Sequence, residues 1–176
     1  SAHARGCKHF IYVSSAAALG GYRKRSDWQK SQNHTALPRD TFPYAVAKRD
    51  AEAWLRERCE ATNVRLSVAY PAEVYGPDDD QWVTAGSIAE MIRGPCALVS
   101  DGGTYVVHVD DVAQALWGMV HTKNPSRELL AADFMEFKEI AQIARSIAQK
   151  SSIVLVAPDV CVWAAIALRS MTGIDW

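Results

Sequence analysis

Apolar residues form two kinds of pattern along this chain, short continuous runs and longer stretches with helical spacing. Short runs of β-branched and aromatic residues predict strands at 9–13, 64–69 and 105–109. Between and after them, apolar residues recur at helical spacing, which predicts long helices at 44–61 and 136–150. Strands that alternate with helices favour an α/β fold built on a parallel sheet, in which we expect strand 9–13 to be buried on both faces.

The helix predicted at 44–61 has one face of small and apolar residues. This stripe consists of Tyr44, Ala47, Lys48, Ala51, Leu55 and Cys59. The small Ala47 and Ala51 predict close packing of the helix on a sheet. Charged residues are expected to face elsewhere, with Glu52 and Arg56 forming an i,i+4 pair. Pro43 suits the first helical position because its φ is fixed.

The remaining predicted elements are shorter. They are helices at 82–93 and from Asp110 or Asp111 to about 121, strands at 96–100 and 153–156, and a last helix from Pro158 or Asp159 to about 171. Residues 22–43 are polar and are predicted to form a surface loop. The run Asp78–Asp80 is interpreted as a solvated loop rather than a metal site.

Composition and charge exclude several classes of protein. The chain has 176 residues, 49% of them hydrophobic, which suffices for one domain or part of a larger one. Its formal net charge is −1 without a long basic run, so no nucleic-acid partner is expected. The four cysteines are far apart and the five histidines lack metal-ligand spacing. We therefore expect free thiols, no metal and a reducing compartment.

The most apolar stretch does not resemble a membrane span. It covers residues 153–168 and is interrupted by Pro158 and Asp159. This is too short and too broken to cross a bilayer. No signal peptide is visible, and the expectation is a cytoplasmic protein without a membrane span.

The segment Tyr44-Ala-Val-Ala-Lys48 is the first candidate for chemistry. A tyrosine and a lysine four residues apart lie on one helix face, one turn apart. An ammonium beside a phenol favours the phenolate, and such a phenol can exchange a proton with a substrate oxygen. The spacing alone fits a packed tyrosine and a solvated lysine better than a catalytic pair, so the surrounding segments must decide.

Those segments follow a familiar order. A strand ends in Ser14-Ser15, a helix opens with Tyr44-x-x-x-Lys48, and a second strand leads into Pro71-Ala-Glu-Val-Tyr-Gly-Pro77. Val109-Asp-Asp-Val-Ala113 comes later. From about Lys8 to about Met119 this order resembles the extended short-chain dehydrogenase/reductase family, which includes NAD-dependent epimerases and dehydratases.

The resemblance implies a fold and a division of the chain. The fold class is α/β: the second half of a Rossmann-type doubly wound parallel sheet with a small, mostly helical C-terminal substrate region. Residues 1–75 would form the catalytic half. Residues 76–176 would form the substrate side, interleaved with a returning strand and helix. The implied cofactor is NAD or NADP, the implied partner a small-molecule substrate, and a homodimer is a candidate assembly.

The resemblance also assigns roles to individual residues. Ser15 would bind the reacting oxygen of the substrate, Tyr44 would be the general acid/base, and Lys48 would support Tyr44 and bind the nicotinamide ribose. Pro71, Ala72 and Val74 would line the nicotinamide. Ser14 is the alternative to Ser15, and a serine at a strand end can instead bond the backbone.

Other polar residues near these motifs receive smaller roles. Asp110 and Asp111 are interpreted as structural, and His108 as a satisfied core residue because no partner is evident. Glu73 is assigned either to substrate contact or to the surface.

Two features limit the resemblance. Ala18-Leu19, Tyr70 and Pro71 depart from the residues that many sugar epimerases carry, which leaves the substrate open. The sequence also lacks a Gly-x-Gly-x-x-Gly turn, where a dinucleotide's pyrophosphate binds. We therefore expect the C-terminal portion of a longer protein, inactive by itself.

Two functions from different classes remain open at this stage. One is an NAD(P)-dependent oxidoreductase, epimerase or dehydratase that uses Ser15, Tyr44 and Lys48. The alternative is a non-catalytic nucleotide-binding or scaffold protein on the same fold, like the accessory relatives of respiratory complexes. Retention of all three residues favours the enzyme.

Overall fold

The computed structural model describes residues 6–19, 43–78, 83–158 and 161. Its strands are β1 (His9–Val13), β2 (Arg65–Pro71), β3 (Glu73–Tyr75), β4 (Ala97–Ser100), β5 (Gly103–His108), β6 (Arg127–Leu130), β7 (Asp133–Glu136) and β8 (Val154–Ala157). Its α-helices are α1 (Pro43–Ala61), α2 (Val83–Ile92), α3 (Val109–His121) and α4 (Phe137–Ile147), and a 3₁₀ helix spans Ala16–Leu19. None of the helices in this part of the chain has the length and apolarity needed to cross a bilayer.

The chain divides into two compact units. The first comprises Ser1–Gly76 and Tyr105–Asp133, and the second comprises Pro77–Thr104 and Phe134–Trp176. In the first unit β1, β2 and β6 form a parallel sheet in that order, and β3 pairs in parallel with β5. In the second unit β4 pairs in parallel with β8. The predicted α/β class with parallel strands is therefore confirmed.

Strand β2 forms the centre of the first unit. Its residues from Ser67 to Pro71 are buried, as expected for a strand with a neighbour on each side. Strand β1 was predicted to be buried on both faces, and this was wrong. Its residues are only partly buried and Val13 is 41% exposed, because β1 lies at the edge of the described sheet.

The buried face of helix α1 agrees with the predicted one only at Cys59. The helix begins at Pro43, as expected, and its buried residues are Ala45, Glu52 and Cys59. Ala47, predicted to face the sheet, is exposed. Glu52, predicted to face elsewhere, is 7% exposed because side chains from other elements satisfy its carboxylate. Its predicted bond with Arg56 is present at 2.8 Å.

The second unit has a small core of its own. Ala97 and Val99 of β4 pack with Ala141 of α4. Beside them lies Arg145, which is fully buried. Its guanidinium donates to the backbone oxygens of Met91, Gly94, Pro95 and Ser151. The bond to Met91 satisfies a carbonyl in the last turn of α2, where carbonyls have no partner within the helix, and the other bonds go to backbone outside α2.

Three strands were not predicted, and one cap was assigned to the wrong residue. Strands β3, β6 and β7 are three or four residues long, and β6 begins with two charged residues. Helix α3 was expected to be capped by Asp110 or Asp111. The N-cap is His108, whose side chain accepts a hydrogen bond from the Asp110 amide. Of the loop predicted at 22–43, residues 22–42 lie outside the described residues and Pro43 belongs to α1. Asp79, Asp80 and most of the last predicted helix also lie outside the described residues.

Candidate active site

The candidate site lies at the carboxyl end of β1. The sequence places two small polar residues there, directly after the last strand residue, Val13. Ser14 is 4% exposed, and its amide continues the ladder by donating to Ala69 O at 2.8 Å. Ser15 is partly exposed, and its Oγ accepts the Ala17 amide at 3.2 Å. The 3₁₀ helix therefore begins on the Ser15 hydroxyl, as a helix begins on an N-cap.

The two serines differ in their access to a ligand. The Ser14 Oγ is fully enclosed and has no hydrogen-bond partner among the described residues. The Ser15 Oγ uses an acceptor position on Ala17, and its own proton remains available as a donor. Accessibility therefore favours Ser15 over Ser14 as the serine that contacts substrate. The substrate contact itself stays a prediction.

Helix α1 brings Lys48 to the end of β1. The Lys48 Nζ donates to Val13 O at 3.2 Å and lies 5.7 Å from the centroid of the Tyr44 ring. Tyr44 is 50% exposed and can meet a ligand from solvent. Tyr44 and Lys48 therefore lie one helical turn apart, as predicted, and Lys48 contacts Val13, the residue before Ser14. The 3₁₀ helix that Ser15 starts also packs against α1.

A second aromatic ring contacts the same ammonium. The Tyr12 ring centroid lies 5.6 Å from Lys48 Nζ, and the Tyr12 hydroxyl donates to Lys48 O at 3.4 Å. Burial raises the pKa of Tyr12, and the neighbouring Glu52 and Tyr44 raise it further. Tyr12 therefore stays a neutral phenol at ordinary pH. The sequence contains no motif that would have identified it.

The residues predicted to line the nicotinamide lie on the next strands. Pro71 ends β2, as predicted, and is buried. The Ala72 amide donates to Leu130 O at 2.9 Å, and Val74 pairs with Val107 across β3 and β5. Strands β1 and β2 are parallel neighbours, so Ser15 and Pro71 both lie at the carboxyl ends of adjacent strands. Ligands of α/β sheets bind at such ends.

A buried polar cluster lies behind the site, one turn along α1 from Lys48. The Tyr70 hydroxyl donates to Glu52 Oε2 at 2.8 Å, and Arg127 donates to both Tyr70 and Glu52. Burial, with the bond to Glu52, raises the pKa of Tyr70 to about 12. Sequence reasoning missed this cluster. Its one signal was Tyr70, which stands where the resembling family commonly has arginine.

His108 has a different role from the predicted one. Its ring is partly exposed, its Nδ1 accepts the Asp110 amide at 3.2 Å, and its edge contacts the Tyr75 ring at 5.2 Å between centroids. It is a helix cap at the surface rather than a core residue. Asp110 and Asp111 lie in the first turn of α3, where negative charge is favourable. No cluster of His, Cys, Asp or Glu suited to a metal ion occurs in the described ranges.

Comparison with known proteins places the chain in a family. The model of the NAD dependent epimerase/dehydratase family matches residues 1–131. The chain belongs to this family. No curated protein matches the sequence significantly.

Solved structures of epimerases and related enzymes share the fold. UDP-N-acetylglucosamine 4-epimerase from Methanobrevibacter ruminantium M1, in complex with UDP-N-acetylmuramic acid, has a TM-score of 0.71 at 17% identity, over 89% of this chain and 52% of that chain. UDP-glucose 4-epimerase from Thermus thermophilus, in complex with NAD, has a TM-score of 0.65 at 20% identity, over 89% and 53%. RMD from Pseudomonas aeruginosa, complexed with NADPH, has a TM-score of 0.69 at 22% identity, over 87% and 56%.

These structural similarities show that this member of the epimerase/dehydratase family shares the fold of those enzymes. The chain spans about half the length of each of these structures. The Rossmann-type fold predicted from the resemblance is confirmed. Neighbours that hold NAD or NADPH show that proteins of this fold bind nicotinamide dinucleotides.

Proposed function

We propose that this chain supplies the catalytic residues of an NAD(P)-dependent oxidoreductase, epimerase or dehydratase. The substrate is a small molecule that presents a hydroxyl or carbonyl group. The observation that carries the proposal is the placement of Lys48 Nζ between Val13 O and the Tyr44 ring at the end of β1. The family match and the epimerase neighbours support the same class of reaction.

Each of the three residues has a distinct task in this proposal. The Ser15 hydroxyl donates to the reacting oxygen and holds it near Tyr44. The half-exposed Tyr44 phenol exchanges a proton with that oxygen. The Lys48 ammonium lies beside the phenol and stabilises its anionic form during the transfer.

The residues present fit the nicotinamide end of the cofactor. The Lys48 ammonium carries three N–H donors. Its described hydrogen bond, to Val13 O, uses one of them, so the others can serve the ribose hydroxyls. Pro71, Ala72 and Val74 would lie along the nicotinamide. The bound cofactor supplies the hydride chemistry, and the protein supplies orientation and charge. The sequence offers no glycine-rich turn for the pyrophosphate.

Replacement of Tyr44 by phenylalanine tests the catalytic assignment. Tyr44→Phe in the full-length protein keeps the ring over Lys48 and removes the exchangeable proton. Turnover should fall by about 10²–10⁴-fold, the usual contribution of a positioned acid or base, while cofactor affinity changes little. The assay follows reduction of bound NAD or NADP with UDP-glucose and with simple secondary alcohols as first substrates.

Tyr75→Phe is the matched control, because Tyr75 has similar exposure, 43%, and lies on β3 rather than on α1. Parental turnover is expected for it. A Tyr44→Phe protein that keeps parental turnover would end the catalytic proposal and leave the scaffold function as the better description.

A further inference from the structure

The contacts of Lys48 extend beyond the residues that the proposed function uses. Its ammonium lies between two aromatic rings, with centroids at 5.6 Å for Tyr12 and 5.7 Å for Tyr44. A cation within about 6 Å of a ring centroid is attracted to the ring face. The third contact, from Nζ to Val13 O, holds the ammonium at the strand end.

We infer that Tyr12 is a positioning residue that holds the Lys48 ammonium beside Tyr44. This inference rests on the proposed function. Tyr12 contacts Lys48 twice: its ring contacts the ammonium, and its hydroxyl donates to the Lys48 backbone oxygen at 3.4 Å. The Tyr44 ring is half exposed to solvent, whereas the Tyr12 ring is partly buried beneath the helix. Tyr12 therefore provides the fixed side of the pair of rings.

The chemistry of Tyr12 suits this role. The phenol is protonated at neutral pH and donates to Lys48 O, and burial with Glu52 and Tyr44 raises its pKa further. A lysine side chain has a flexible four-carbon stem and loses much rotamer entropy when it is fixed. A ring that binds the ammonium before ligand arrives reduces this loss during cofactor binding.

The inference predicts that the ring, more than the hydroxyl, restrains Lys48. Tyr12→Phe keeps the ring and Tyr12→Leu removes it. The readout is the rate of reductive methylation of Lys48 in the full-length protein, measured by peptide mass spectrometry relative to the exposed Lys138. Tyr12→Leu should raise this ratio by about two- to fivefold, as expected for the loss of one partly exposed cation–π contact. Tyr12→Phe should retain the parental ratio.

Phe10→Leu is the matched control. Phe10 lies two residues before Tyr12 on β1, on the same face, and is also partly buried. The substitution removes an aromatic ring that has no described contact with Lys48. The methylation rate of Lys48 relative to Lys138 should therefore stay parental. An unchanged ratio in Tyr12→Leu, or an equal rise in Phe10→Leu, would overturn the inference.

An NMR measurement on the parent keeps the test independent of folding defects in the variants, and turnover gives a further readout. In the parental protein, the Lys48 ε-methylene protons should show upfield ring-current shifts by NMR, and random-coil shifts would overturn the inference without any variant. Where the parent turns over substrate, turnover of Tyr12→Leu should fall and that of Tyr12→Phe should stay parental. Methylation and NMR report on Lys48 even in a protein without turnover, so failure of the proposed function is distinguishable from failure of this inference.

Discussion

At the scale of single residues, Lys48 links the backbone of one strand to the side chains of the site. Its ammonium contacts Val13 O and two rings. In the proposed function one charge serves two purposes, because it stabilises the Tyr44 phenolate and binds the cofactor ribose. Replacement of Lys48 should therefore affect more measured quantities than replacement of Tyr44.

Lys48→Met tests this difference. The methionine keeps much of the apolar stem and removes the charge. Turnover and cofactor affinity should both fall, because one ammonium serves both the phenol and the ribose. Steady-state kinetics and calorimetry measure these effects in the full-length protein. Lys138→Met, at an exposed position of α4, is the control. A Lys48→Met protein with parental cofactor affinity would contradict the ribose role.

Tyr70 predicts a pH dependence of stability. Its pKa is raised to about 12 in the folded protein, against about 10 in an unfolded chain. Between these values the unfolded state releases the proton and the folded state keeps it. Stabilisation from this group is therefore complete below about pH 10. It falls by about 1.4 kcal/mol per pH unit as pH rises towards about 12.

Urea unfolding of the parent and of Tyr70→Phe across this pH range isolates the effect. The variant should lose about 1 kcal/mol at neutral pH, because Glu52 and Arg127 lose a buried partner. The difference between the two proteins should then shrink above about pH 10 and reverse by about pH 11, because the stabilisation that the parent loses exceeds about 1 kcal/mol. A difference that stays constant up to about pH 12 would show that Tyr70 titrates alike in both states.

At the scale of elements, the sequence predicts those helix and strand boundaries that depend on residues adjacent in sequence. The helix from Pro43 and the end of β2 at Pro71 follow from local apolar patterns and proline geometry. The burial of Glu52 does not, because its partners lie far away in sequence: Tyr70 is 18 residues away and Arg127 is 75. Strand β6 begins with Arg127-Glu128 and forms through its pairing with β2, so its own pattern is too polar to indicate a strand.

The candidate site divides in the same way. The Tyr44–Lys48 pair could be predicted because both residues lie on one helix. Tyr12 could not, since its contact with Lys48 joins residues 36 positions apart and depends on how α1 crosses β1. The cap of α3 was assigned to an aspartate on propensity. His108 takes the role because its Nδ1 reaches the Asp110 amide.

The junction between β3 and α3 contains the tightest glycine position among the described glycines of the first unit. A β-carbon placed on Gly76 would overlap Val109 Cγ1 and lie 3.1 Å from Val109 Cβ. Gly76→Ala should therefore cost about 1–3 kcal/mol, since the start of α3 must shift. Gly118→Ala is the matched control within α3, where a β-carbon would meet nothing within 4 Å.

Gly118→Ala should be neutral or stabilise the protein by up to about 1 kcal/mol, because alanine has the higher helix propensity. Chemical denaturation of both variants measures the two free energies of unfolding. Equal effects would show that the close approach of Val109 to Gly76 does not constrain the fold.

At the scale of the whole molecule, the chain combines two units whose segments interleave in sequence. The first unit contains Ser15, Tyr44 and Lys48 together with the end of β2. The second unit has its own sheet of β4 and β8 and its own core around Ala141. The predicted division into a catalytic half at 1–75 and a substrate side at 76–176 remains a prediction, because it concerns roles rather than compactness.

The last prediction concerns how much of a dinucleotide this chain binds. The proposed contacts from Lys48, Pro71, Ala72 and Val74 all go to the nicotinamide end. Glycine-rich turns at helix N-termini supply much of the binding of a pyrophosphate, and this sequence contains no Gly-x-Gly-x-x-Gly. The purified 176-residue chain should therefore bind NAD with a Kd of about 1 mM or weaker.

Calorimetry with pieces of the cofactor sharpens this prediction. Nicotinamide mononucleotide contains the end that the proposed site contacts, so it should bind this chain about as well as NAD does. Adenosine monophosphate contains only the other end and should show no binding. Lys48→Met should abolish the nicotinamide mononucleotide signal, because the ammonium that binds the ribose is gone. Micromolar affinity for NAD would instead require a phosphate-binding site within these 176 residues, and adenosine monophosphate binding would locate it away from Lys48.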